Sequence, residues 1–400
     1  MENRGAGIPP VGDREDAAFH AERSGTAIPP AADSGAWMPL APDRDADEPE
    51  TGESRPARPR TRRWRARNVI IIGAGVLVLL VAGGALALYL TANHYLSSMK
   101  RIHNPFSSIP ASARPPQATG AAAKDVTFLV GGLDTRSPVP TTGSRAVGGA
   151  RGRTDTLMLV HLIAGGRGAY VVSIPRDSWV PIPGNGNGKI NWAYAFGGPS
   201  LAVRTVEKLT HVRIDHVAVI DWAGFREVTN ALGGVTVTVP ATSYDPANHV
   251  TWTAGTHHLN GQQALLYVRD RYGLTSGDFA RERRQQYFLR AVFEQLRREG
   301  KLTNTPQTAS VLRAMSYAVS VDSTLSNGKM ISLALNLRKL NMGRVVFATA
   351  PNTGTGSVGD QSVVWLNKSV SRGFWHAFEY DSLPAFMKAH KLQQLGAATQ

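Results

Sequence analysis

Apolar and polar positions along this chain change their spacing from one stretch to the next. Residues 1–67 have no period: Pro, Gly, Ala and charged residues follow one another with few aromatics. Such a composition buries too little apolar surface to offset the entropy of folding, so a disordered tail is expected. Val69 to Leu90, VIIIGAGVLVLLVAGGALALYL, is then an unbroken apolar run of 22 residues. As a helix it is about 33 Å long, which matches a bilayer core of about 30 Å. A cleaved signal peptide would have a shorter apolar core nearer the N-terminus. Ser97 to Ala123 is rich in Pro, Ala and Ser and reads as a spacer.

From Val126 the pattern changes again. Short β-branched or wholly apolar runs predict strands over 126–132, 156–163, 169–175, 215–221, 235–240 and 344–351. Several are apolar throughout, as strands covered on both faces are. Apolar positions at helical spacing predict helices over 199–210, 222–232, 261–268, 278–299, 305–318, 327–340 and 369–380. The alternation predicts an α/β fold, a three-layer sandwich of a mixed central sheet between helices, preceded by a disordered tail and one transmembrane helix. The NGNG at 185–188 reads as a tight turn or mobile loop. The expected organisation is a cytoplasmic tail over 1–67, a transmembrane helix over 68–90, an extracytoplasmic linker over 91–123, a globular domain over 124–385 and a C-terminal tail over 386–400.

Charge adds a direction to this picture. Arg55, Arg58, Arg60, Arg62, Arg63, Arg65 and Arg67 precede the apolar run, and Lys100 and Arg101 are the first cations after it. Positive residues stay inside, so the chain is expected at the cell membrane, single-pass, with its N-terminus cytoplasmic and its globular domain extracytoplasmic. The net charge of +14 therefore has a topological source, and no nucleic-acid partner is expected. Cysteine is absent, which excludes disulfides and thiolate metal sites.

Candidate chemistry concentrates in YVRDRYGLTSGDFARERRQQ, residues 267–286. With Asp278 as N-cap, helical phase places Arg281 and Gln285 on one face with Phe288, Val292 and Leu296, and Arg283, Arg290 and Arg297 on the solvated side. A buried unpaired guanidinium is costly, so Arg281 is read as part of an anion site. An ion pair from Arg281 to Asp278 is the competing structural reading. Arg269 and Arg271, one residue apart, point the same way in extended chain, and parallel guanidinium forks suit a phosphate. Polar residues also gather at strand ends: Asp134 and Arg136 in GGLDTR, Arg153 and Asp155 in GRTDT, Arg176 and Asp177 in SIPRD. Ligand sites of open α/β sheets lie at strand ends. Acids among arginines can orient the forks or hold a hard cation such as Mg2+. His161, His211, His216, His257 and His258 lack a metal-ligand spacing and read as structural or solvated. Phe128, Leu157, Phe225 and Phe288 read as core.

Taken in order, GGLDTR, GRTDT, SIPRD, KINWAYAFGG, IDHVAVIDWAGF, NALGGVTVTV, LNGQQALLYVRDR and GDFARERRQQ resemble the LytR-CpsA-Psr family of cell-envelope glycopolymer transferases over about 126–296. The resemblance implies a catalytic domain that moves a glycopolymer from a polyprenyl pyrophosphate carrier to a peptidoglycan hydroxyl, forming a phosphodiester. It implies that Arg153, Arg176, Arg269, Arg271 and Gln285 contact the pyrophosphate, and that Asp134 and Asp155 are Mg2+ carboxylates. Asp278 and Arg281 match a pair that shapes the site, and Asp177 and Arg284 match further motif positions. The loop between Asp134 and Asp155, SPVPTTGSRAVGGA, is longer than the family pattern. The general base is open between Asp155 and Asp177. Two other readings use the same arginines: a membrane-anchored regulator that binds the lipid pyrophosphate, and a pyrophosphatase that lets water attack.

Overall fold

The computed structural model describes residues 86, 89–135, 141–144, 152–271, 277–298, 305–392 and 394–395. The tail over 1–67 and the span over 68–90 lie outside them, apart from Leu86, Tyr89 and Leu90. Among the described residues no helix is long and apolar enough to cross a membrane.

Along the chain the strands are β1 (Arg101–Ile102), β2 (Val126–Asp134), β3 (Arg153–Ile163), β4 (Gly168–Ser173), β5 (Trp179–Pro181), β6 (Asn187–Lys189), β7 (His216–Asp221), β8 (Val235–Val239), β9 (Ser243–Asp245), β10 (Val250–Trp252), β11 (Gly255–Leu259), β12 (Val319–Asp322), β13 (Val345–Thr349), β14 (Asn352–Val358) and β15 (Gln361–Leu366). The helices are α1 over 89–98, α2 (Asn191–Thr210), α3 (Trp222–Ala231), α4 (Gly261–Arg269), α5 (Gly277–Arg298), α6 (Thr305–Ala318), α7 (Asn327–Arg338), α8 (Lys368–Glu379) and α9 (Leu383–Ala389).

Seven strands form the central sheet in the order β1-β12-β7-β2-β3-β4-β13. β2 is parallel to β7 and antiparallel to β3, β3 is antiparallel to β4, and β13 is parallel to β4, so the sheet is mixed, as expected. The period of two along β3 sorts its side chains onto two faces. Leu157, Leu159 and Ile163 pack with Val203 and Val206 of α2, Phe374 and Phe378 of α8, and Met387 of α9. Met158, Val160 and Leu162 pack with Tyr287, Leu289 and Phe293 of α5. A separate cluster joins the β8/β11 ladder to α3, α4 and α5 through Val235, Val237, Phe225 and Phe288. All four apolar candidates, Phe128 included, pack within these clusters.

Where structure and sequence reading differ, tertiary contacts are the reason. β3 begins at Arg153 rather than at 156, because pairing with β2 extends it through polar residues. α2 begins at Asn191 and carries a break at Gly197, Gly198 and Pro199, where the sequence suggested a start. The stretch expected as a linker is packed into the domain: Leu96 and Met99 meet Val321 and Leu325, β1 pairs with β12, and Arg114 donates to Glu207 at 2.7 Å. At the other end Met387 and Leu395, expected in a tail, are buried, with Leu395 N donating to Phe347 O at 3.0 Å.

Candidate functional site

The site begins with a strand irregularity. Gly132 of β2 lies opposite Thr156 and Leu133 opposite Thr154, so Asp155 is an extra residue on β3, and Asp134 then faces Arg153. A bulge of this kind bends the strand and re-aims its side chain. The long loop does not disturb this pairing. Thr141 and Thr142 donate their backbone N–H groups to Asp221 Oδ2 at 2.5 and 3.1 Å, while Asp221 Oδ1 caps α3 by accepting from Gly224 N at 2.8 Å. Gly143 has a φ of 72°, and a Cβ there would stand 1.8 Å from Tyr317 O, so glycine is required for this approach.

Asp155 accepts from Arg176 Nη1 at 2.6 Å. The Arg176 Nε lies 3.5 Å from Asp177 Oδ2, and Lys189 Nζ lies 3.2 Å from Asp177 Oδ1. Cation and acid therefore alternate from β3 to β6, each half-buried. On the other side Asp134 Oδ1 accepts from Trp222 Nε1 at 3.1 Å, and the Arg269 guanidinium lies 5.3 Å above the Trp222 ring. Thr156 Oγ1 donates to Gln285 Oε1 at 3.0 Å, and Gln285 Nε2 donates to Val268 O at 3.3 Å, next to Arg269. The contacts thus close a ring through Arg269, Trp222, Asp134, the β2/β3 pairing, Thr156, Gln285 and Val268.

Arg269 and Arg271 are exposed while Asp270 between them is buried, the alternation expected, although Arg269 ends α4 rather than lying in a strand. Asp270 faces inward and pairs with the buried Arg284, whose Nη2 donates to Ser243 Oγ at 2.7 Å. Arg284 also lies 5.0 Å over the Tyr267 ring. Burial, partly opposed by Arg284, pushes the Tyr267 hydroxyl up to about 12. Arg284, expected at the substrate, is therefore turned into the protein and braces the Arg269–Arg271 segment from behind. Arg290, expected on a solvated face, lies 5.2 Å over Phe347, because α5 packs on the sheet with more of its circumference than its apolar stripe suggested. Asp278 is the second residue of α5 rather than its N-cap, and Arg281 is buried. Arg153 is exposed at the start of β3. Arg136 lies outside the described residues.

The donor set fits a hard cation. Trp222 binds Oδ1 of Asp134 and Arg176 binds Oδ1 of Asp155, and none of the described hydrogen bonds reaches Oδ2 of either. Two oriented carboxylates with phosphate oxygens are the usual Mg2+ environment. Sequence reasoning missed Lys189, Trp222, Thr156 and Asp221. Lys189 and Trp222 sit inside the quoted KINWAYAF and IDWAGF motifs, but residue type alone gives neither a role.

Residues 89–373 match the family model described as LytR_cpsA_psr family. The "polyisoprenyl-teichoic acid--peptidoglycan teichoic acid transferase TagU" of Bacillus cereus is 29% identical over 265 residues, spanning 66% of this chain and 81% of that protein. The "cell wall biosynthesis protein LcpA" of Corynebacterium glutamicum is 30% identical over 260 residues, spanning 58% of this chain and 50% of that protein. The solved structure "TagT bound to LIIa-WTA" superposes with a TM-score of 0.53 at 25% identity, covering 67% of this chain and 96% of that one.

Proposed function

The chain belongs to the LytR_cpsA_psr family, and on that premise we propose that it transfers a glycopolymer from a polyprenyl pyrophosphate carrier to a peptidoglycan hydroxyl. The single observation that carries the reading is the closed ring of contacts at the strand ends that joins Asp134, Trp222, Arg269, Thr156 and Gln285, with the Asp155–Arg176 pair next to it in sequence at Thr156. The resemblance to TagU, a named teichoic acid transferase, supports the same chemistry.

In the reaction the acceptor oxygen attacks the phosphorus attached to the sugar. A new P–O bond forms, the bond to the second phosphorus breaks, and polyprenyl phosphate leaves with the electron pair. Charge develops on the bridging and equatorial oxygens, so catalysis consists mainly of placing cations where that charge appears. Arg176, held by Asp155 and Asp177, is fixed in direction before substrate binds. Arg269 and Arg271 present exposed forks to the diphosphate, and Arg153 stands at the mouth opposite Asp134. Asp134 and Asp155 would hold Mg2+, which supplies further neutralisation of the diphosphate when bound. The acceptor proton passes to Asp177, or to Asp155 where that carboxylate is not fully committed to the metal.

The reading includes a membrane anchor. The apolar side chains of Leu86, Tyr89 and Leu90, the last part of the apolar run, are exposed, which supports a span ending there. Single cysteines introduced into this cysteine-free chain before and after the run, probed with an impermeant thiol reagent on intact cells, test the orientation; labelling of the first and not the second overturns it.

The transfer itself is tested with the purified chain, a polyprenyl pyrophosphate sugar, Mg2+ and peptidoglycan fragments, with products weighed by mass spectrometry. The expected product is a fragment enlarged by the sugar phosphate, together with polyprenyl phosphate. Free sugar phosphate without the adduct identifies a pyrophosphatase instead, and lipid binding without any product identifies a regulator.

A further inference from the structure

A second cluster lies toward the other end of the sheet, among groups the transfer reaction does not use. Asp125 immediately precedes β2, His161 lies in β3, and Asp381 sits in the turn between α8 and α9. At about 3.3 Å per strand residue, His161 is roughly 20 Å from Asp155. His161 Nε2 is 3.6 Å from Asp125 Oδ2 and 3.8 Å from Asp381 Oδ1, and the three atoms lie within 4.8 Å of one another. Each of them is buried and has no hydrogen-bond partner. The side chains of His161 and Asp125 are only 3% and 1% exposed, and that of Asp381 is 25%.

Every other polar atom of the trio is held. Thr127 Oγ1 lies 2.9 Å from His161 Nδ1, Asp125 Oδ1 accepts from Ala164 N at 2.7 Å, and Asp381 Oδ2 accepts from Arg167 Nη2 at 3.3 Å. Phe378 packs against the imidazole at 5.2 Å. With Nδ1–H donating to Thr127, the Nε2 lone pair points at the two carboxylates, the arrangement in which an outer hydrogen bond orients a metal-ligating histidine. Distances of 3.6 and 3.8 Å are too long for hydrogen bonds. They lie close to the ligand–ligand edge of about 3.4 Å that bonds of about 2.0–2.1 Å give in a tetrahedral zinc site.

We propose that Asp125, His161 and Asp381 bind one divalent transition-metal ion of the zinc class, with water completing its coordination. An imidazole nitrogen among few oxygens disfavours Ca2+ and Mg2+, and the carboxylates balance the ion's charge. The ion would tie the entry to β2 and the middle of the sheet to the α8–α9 turn, so its role is structural, and it is independent of the transfer reading.

The test is metal content and thermal stability of the full chain purified without chelator. Mass spectrometry of the elements is expected to find one transition-metal ion per chain, retained in Asp155→Asn and reduced at least tenfold in His161→Gln and Asp381→Asn. Asp381 has a φ of 56°, which Asn tolerates, so this variant keeps its fold, as circular dichroism verifies. Chelation is expected to lower Tm by several degrees, and stoichiometric Zn2+ to restore it, because a ligand bound only by the native state stabilises it. The proposal is overturned if the wild-type chain carries no such ion and neither Zn2+ nor Mn2+ shifts its Tm; a buried water then fills the position. Equal metal content in wild type and Asp381→Asn overturns it as well.

Discussion

Trp222 donates its indole N–H to Asp134 at 3.1 Å, fixing one oxygen of a carboxylate that closes β2. The same ring carries the Arg269 guanidinium on its face, so one side chain orients both an acid and a cation of the proposed diphosphate site. Trp222→Phe removes the hydrogen bond and keeps an aromatic face. Orienting groups of this kind are worth about 10–100-fold in metal affinity or activity. The expected outcome is a loss of kcat in that range and a higher Mg2+ concentration for half-maximal rate. Unchanged Mg2+ dependence would show that Asp134 works without its indole partner.

Arg176 reaches Asp155 with one nitrogen and Asp177 with another. A lysine keeps the charge but cannot reproduce the fork. Arg176→Lys is therefore expected to lose turnover by about 10²–10³-fold, the scale of removing one preorganised donor, with an unchanged circular dichroism spectrum. Full activity in a transfer assay would make Arg176 a bystander.

Arg284 and Asp270 form a buried ion pair, with side chains 8% and 0% exposed. Arg284→Met removes the buried guanidinium partner of Asp270, which should cost up to about 3–5 kcal/mol, whereas an apolar double variant is expected to recover much of it. Urea denaturation of Arg284→Met and of Arg284→Met with Asp270→Leu measures both. A single variant as stable as wild type contradicts the bracing role assigned to Arg284.

Asp322 gives a pH dependence with a definite sign. Burial raises its proton affinity, but hydrogen bonds from His216, Thr324 and Val217 outweigh burial and hold its carboxyl below the usual range. A folded-state value below the unfolded one stabilises the protein above the ordinary carboxylate value of about 4. That contribution is lost as pH falls through the lowered folded value. Urea midpoints between pH 5 and 3 should fall more steeply in wild type than in Asp322→Asn, and parallel curves would refute the assignment.

The sequence by itself determined most of the elements and the residue types of the candidate site. Period-two and helical spacing predicted most of the strands and helices within a few residues, because burial of one face imposes its own spacing, but missed the start of α2 at Asn191 and the β14/β15 pair. Ordered motifs gave the family, and residue type marked the acids and arginines at strand ends. Tertiary structure alone decided how each of them is held. Asp155 is aimed by a bulge that exists only in the pairing of β2 with β3. Arg284 is taken inward by Asp270, 14 residues earlier in the chain, and Arg290 by a sheet it does not touch in sequence. Short strands such as β1 and β12 escaped prediction because two to four residues carry too little periodicity, and their stability comes from partners far along the chain. His161 illustrates the same limit: 36 residues beyond Asp125 and 220 before Asp381, it looks like an isolated core histidine until the fold brings three unmatched atoms together.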